Sequence, residues 1–159
     1  MPNKRPNRLV HVVLDEKTQV RRRPEVEHER QVAIYDLIEE NSFQPIGGWQ
    51  GPFTLHLSME SSRLAFDIRS EDGIGLVCVA VNVGSLYGLI KDYFIVCDTY
   101  FTSIKSAPTS RIEAADMARR SLHNEGAKLL VDILKDRIDI DFDTARRLFT
   151  LLCVLHIRG

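Results

Sequence analysis

Two arginines of this chain fall on apolar helical stripes. Arg30 shares one with Val26, Ala33, Ile34, Leu37 and Ile38; Arg119 shares another with Ile112, Ala115, Leu122, Leu129 and Ile133. A guanidinium turned towards a hydrophobic interior must find a carboxylate, carbonyl oxygens or a bound anion, because an unpaired buried charge is strongly unfavourable. The run Arg119-Arg120-Ser121-Leu122-His123-Asn124-Glu125-Gly126 is the densest polar segment inside an otherwise apolar helix. Arg119 and His123 share a face at i,i+4 spacing, and Asp116 stands one turn before Arg120. Glu25-Val26-Glu27-His28-Glu29-Arg30 is a segment of the same kind. Arg30, Arg119 and Arg120 are therefore the expected holders of an anionic group or of a partner's carboxylates. His28, His123, Asn124 and Glu125 are expected to complete that site.

Other chemistries compete for the same residues. If His28 and His123 converge, they and a glutamate form an acid–base or metal site; His123 as general base, oriented by Glu125 or Glu29, is the enzymatic alternative. Gly126 inside a helix is explained either by close helix packing or by a break near Asn124. A break would expose backbone N–H groups beside Arg119 and His123 as an anion nest. Arg146-Arg147 opens the last helix against its dipole, so Asp139, Asp141 and Asp143 are its expected partners; the alternative is a positive cleft shared with Arg119 and Arg120.

Several classes are excluded by what is missing. The chain has no GxxxxGK[ST] phosphate loop, no GxGxxG fingerprint and no GxSxG elbow. It has no paired CxxC and no two-histidine zinc turn, so no metal or cofactor is expected. Cys78, Cys97 and Cys153 are set among aliphatic residues and read as buried free thiols of a reducing, cytoplasmic compartment. No leader-like or membrane-spanning apolar run is present. With 21 basic and 22 acidic residues the net charge is −1, which is no footprint for nucleic acid. Only the first 23 residues are locally basic, and they read as a solvated arm. With 159 residues and 44% apolar content, the chain is sized for one core.

The elements that must position these residues follow from periodicity. Residues 1–8 are expected to be a disordered arm and 9–159 a single α+β domain. Leu9–Leu14 reads as a strand, and Pro24 opens a helix to about residue 41. Residues 44–52, with two prolines and three glycines, read as a loop in which Trp49 folds back on the core. Strands at about 53–59, 63–69 and 75–81 form an antiparallel meander, the third being central or covered on both faces. Helices follow at about 85–105, from a Ser110/Glu113 capping box to about 135, and from Asp141 or Asp143 to His156. The expected architecture is two layers: a small antiparallel sheet of three to four strands packed by about four helices.

Four stretches carry a family resemblance: PEVEHERQVAIYDLIEENSF at 24–43, KDYF at 91–94, SRIEAADMARRSLHNEG at 110–126 and DFDTARRLFTLLCVLHIRG at 141–159. They resemble the UPF0262 family of mainly alphaproteobacterial proteins. The resemblance implies a bacterial, cytoplasmic protein and brings no activity or catalytic residue with it. The residues themselves favour a non-enzymatic binding or regulatory module, with a homodimer, a small anionic ligand or a protein partner as the expected associations. A small enzyme and a purely structural or protein-interaction protein are the alternatives.

Overall fold

Strict alternation of apolar residues builds the sheet. The computed structural model describes residues 7–15 and 24–156. Its strands are β1 (Leu9–Leu14), β2 (Phe43–Pro45), β3 (Phe53–Glu60), β4 (Arg63–Ser70), β5 (Gly75–Asn82) and β6 (Ile138–Ile140). Phe53, Leu55, Leu57, Leu64, Phe66, Ile68, Val79 and Val81 are buried and face the helices, as period-two patterning requires. Ser61–Ser62 and Asp72–Gly73 make the two hairpin turns, the second using the positive φ that glycine tolerates.

The main sheet has the order β1-β3-β4-β5. β3, β4 and β5 are the expected antiparallel meander, but β1 lies parallel to β3, so the sheet is mixed. Alternation reveals a strand's buried face and carries no information on its direction, and here a long connection through α1 (Pro24–Glu39) separates the two parallel strands. β5 is an edge strand, not a central one. Its apolar residues outside the core face are partly covered, and Cys78 there is exposed. The expectation of three buried thiols therefore fails at Cys78, whose Sγ lies 3.7 Å from Asp67 Oδ1.

The stretch 44–52 is also less irregular than its glycines suggest. Gln44 and Pro45 join Phe43 in β2, which pairs with β6 in a separate two-stranded sheet. Pro45 sits at a strand end of a minimal ladder, where a missing N–H costs little. Trp49 folds back against the core as expected.

The remaining helices are α2 (Tyr87–Ser106), α3 (Thr109–Leu134) and α4 (Phe142–His156). α4 is buried on all sides from Leu148 to Val154, as an all-round apolar helix must be. It packs on β3 and is flanked by α1 and α3, while α2 packs mainly on α3. Asp141 caps α4 through its Oδ1, which accepts the Thr144 N–H at 2.9 Å. The Ser110/Glu113 capping box does not form; α3 starts at Thr109, and the Pro108 carbonyl accepts the N–H groups of Arg111 and Ile112 instead.

Buried Asn41 fixes α1 to the sheet. Its Oδ1 accepts the Leu9 N–H at 2.8 Å, and its Nδ2 donates to the carbonyls of Leu9 at 2.9 Å and Leu37 at 2.7 Å. The expected arm at 1–8 lies mostly outside the described residues. Its last two members are tied down, because the Asn7 and Arg8 carbonyls accept the N–H groups of Phe43 and Phe53. No helix among the described residues is long and apolar enough to cross a membrane.

Candidate functional site: an arginine cleft between three helices

α1, α3 and α4 each present one polar stripe to a common cleft of about 360 Å³. α1 contributes Glu29, Val32, Ala33 and Asp36, a stripe at i, i+3, i+4 and i+7. α3 contributes Arg119, Arg120 and His123 at the same spacing rule, and α4 contributes Arg146, Arg147 and Thr150. Four guanidinium groups thus face two carboxylates across one hollow.

The α3–α4 wall is set by Gly126. A Cβ built there would lie 2.5 Å from Cδ1 of Phe149, a fully buried ring. α3 runs unbroken through Gly126, so the helix break and its nest of free N–H groups do not occur. Glycine serves a close helix crossing here. One turn away the same crossing brings Thr150 Oγ1 to 3.0 Å from His123 Nε2.

Arg119 is matched largely from within. Nη1 donates to Glu29 Oε1 at 3.1 Å and Nη2 to Asp116 Oδ1 at 2.9 Å. Its Cζ lies 5.0 Å from the Tyr100 ring centroid, a cation–π arrangement. Burial opposes its charge, but Asp116 and Glu29 outweigh burial and keep the guanidinium protonated. Glu29 is the hub of this network; its second oxygen accepts from the Tyr93 hydroxyl at 3.3 Å. Asp116 also receives Arg120 Nε at 3.0 Å, and the Arg119 guanidinium holds its carboxyl below the usual range. The Asp116–Arg120 pair read from spacing is therefore present.

Arg146 and Arg147 are partnered more loosely. Arg146 has an aspartate at 3.9 Å, the largely exposed Asp143, and Arg147 reaches the Glu40 carbonyl at 3.4 Å. Asp141 is used as the cap of α4. The doublet accordingly lines the cleft with Arg119 and Arg120, the arrangement that the sequence disfavoured against local ion pairing. Two donors in the cleft wall, Nε of Arg119 and Nε of Arg146, are buried with no acceptor. Orphaned buried donors are rare in folded proteins and call for an explanation.

His123 is mostly buried between Tyr93, whose ring centroid is 4.9 Å away, and Phe149 at 6.5 Å. Burial first, then the positive charges of Arg119 and Arg146, push its pKa down to about 4. It is a neutral hydrogen-bonding group at neutral pH and too weak a base to hold a substrate proton there. Below it, burial pushes the Cys97 thiol up to about 11 and the Cys153 thiol well above its ordinary value, so neither supplies a thiolate.

The other expected site residues lie elsewhere. Arg30 is not among the cleft-lining residues; its Nη1 lies 3.4 Å from Glu27 Oε1, and its stem is partly covered. His28, Asn124 and Glu125 are exposed and do not line the cleft. His28 therefore does not join His123 there, and no metal-binding group of histidine, cysteine and acidic side chains occurs among the described residues. Sequence reasoning passed over Asp36 and Thr150, left Arg146 and Arg147 to their aspartates, and saw Glu29 only as an orienter of His123. The available signal was the stripe Glu29-Val32-Ala33-Asp36, in which two acids bracket two small apolar residues.

The family model described as "Uncharacterised protein family (UPF0262)" matches residues 6–158. A UPF0262 protein of Paramagnetospirillum magneticum is 54% identical over 159 residues, covering 100% of both chains. One from Rhizobium leguminosarum bv. trifolii is 54% identical over 152 residues, covering 96% of each. One from Bradyrhizobium diazoefficiens is 50% identical over 154 residues, covering 96% of this chain and 93% of the other. No solved structure matches significantly.

Proposed function

This chain belongs to the UPF0262 family, and from its cleft we propose that it is a non-enzymatic binding module for a small anion. One observation carries the reading: four arginines surround a single hollow, and the acids near them satisfy only part of their donors. Arginine's planar fork suits phosphate and carboxylate groups. The volume lies within the ordinary range of small-molecule sites, about 300–1,000 Å³. Arg119 is positioned by its internal acids, whereas Arg120, Arg146 and Arg147 keep spare Nη donors for a ligand. Thr150 and neutral His123 add hydrogen-bonding groups between them. The histidine of the cleft, its pKa pushed down to about 4, is too weak a base at neutral pH to take a substrate proton, which favours binding over catalysis. Three free cysteines, two of them buried, support the cytoplasm as its compartment.

Thermal unfolding in inorganic phosphate tests this. A ligand that binds only the folded state stabilises it by RT ln(1 + [L]/Kd). The Tm of the wild type is expected to climb with the logarithm of phosphate concentration, beyond the effect of chloride at equal ionic strength. Arg146→Gln is expected to abolish that increment and Arg30→Gln to retain it. Equal responses to phosphate and chloride in the wild type would remove the proposal.

A further inference from the structure

We infer that the cleft selects zwitterions, taking the anionic group on its arginines and an ammonium group on Asp36. This rests on the anion-binding reading above and goes one step further in naming the ligand class. Asp36 lines the cleft together with four arginines. Yet its carboxylate makes no hydrogen bond or ion pair with any of them, while Asp116 pairs with both Arg119 and Arg120, and Glu29 with Arg119. Asp36 lies two turns along α1 from Glu29, beyond Val32 and Ala33. Arg147 is anchored one turn further on, through the Glu40 carbonyl. The hollow is thus lined by four arginines from α3 and α4, by the apolar side chains of Val32 and Ala33, and by the uncommitted carboxylate of Asp36. A carboxylate there weakens the pull on a simple anion. It strengthens the hold on a small molecule that carries a cationic group as well as its anionic one.

Isothermal titration with matched probes reads this directly. O-phosphoethanolamine and ethyl phosphate differ by one ammonium group, as do β-alanine and propionate. The wild type is expected to bind each zwitterion about tenfold tighter than its plain counterpart, the scale of one charge-assisted hydrogen bond. In Asp36→Asn the members of each pair should bind within about threefold of one another, with ethyl phosphate bound at least as well as by the wild type, which also shows that the variant is folded. If the wild type binds both members of a pair equally, the zwitterion assignment fails and the anion reading stands. If the preference survives Asp36→Asn, Asp36 is not the ammonium site and the inference falls. If no probe binds, the anion reading and the inference fall together.

Discussion

His123 shows how strongly the neighbours of a residue decide its chemistry. On a helical wheel it resembles a general base beside an arginine; in the fold it is pressed between two aromatic rings with Thr150 on its Nε2. Its folded pKa of about 4 lies below its ordinary 6.5, so between those values the unfolded chain binds more protons than the folded one. Stability from this residue is complete above pH 6.5 and is lost as pH falls towards 4, by roughly 3 kcal/mol at most. Urea unfolding of the wild type and of His123→Gln across that window checks this. The wild type should lose more stability on acidification, and parallel profiles would contradict the assignment. At Glu29, two donors converge on one largely buried carboxylate. Glu29→Gln leaves the Arg119 charge half matched and is expected to cost about 2–3 kcal/mol, less than for a fully buried pair because both groups keep some exposure. Denaturant midpoints measure it.

Single close contacts tie the helices and strands together. Gly126→Ala gains about 1 kcal/mol of helix propensity but drives a methyl into the Phe149 ring, and overpacking of that kind costs about 1–3 kcal/mol. Net destabilisation with a loosened His123–Thr150 contact is the expected outcome, readable by unfolding and by the His123 ring resonances. A more stable Gly126→Ala variant would show that α3 and α4 do not cross so closely. Asn41→Ala strips partners from buried backbone groups at Leu9 and Leu37, at an expected cost of about 2–4 kcal/mol in equilibrium unfolding. The four helices and the meander were legible in the sequence because each buries one face and repeats it. β1's direction, the tiny β2–β6 ladder and β5's place at the edge were not legible, since they depend on which element lies alongside. The site was half legible for the same reason. Arg119, Arg120 and His123 lie on one helix and show their spacing. Arg146, Thr150 and Asp36 join them only through the α1–α4 and α3–α4 contacts. Arg30 misled because a long side chain can cover apolar surface with its stem and still carry its charge to Glu27.

On the scale of the whole molecule, a nearly neutral chain concentrates positive charge at one place. The net charge is −1, yet the hollow between α1, α3 and α4 gathers four arginines, with Glu29 and Asp36 in its lining and Asp116 and Asp143 paired beside it. Such local focusing favours a small anionic ligand over a long polyanion, and anion affinity should weaken with salt far less than the steep dependence of a nucleic-acid binder. On the binding reading proposed above, this cleft recruits a counter-charge from outside the protein. Arginine Nε–H resonances report it most directly, with the Arg119 and Arg146 signals assigned through their lysine variants. On titration with inorganic phosphate those two signals should shift together and saturate while that of Arg30 stays in place. Saturation without movement at Arg119 and Arg146, or shifts no larger than at Arg30, would show that the cleft takes no anion.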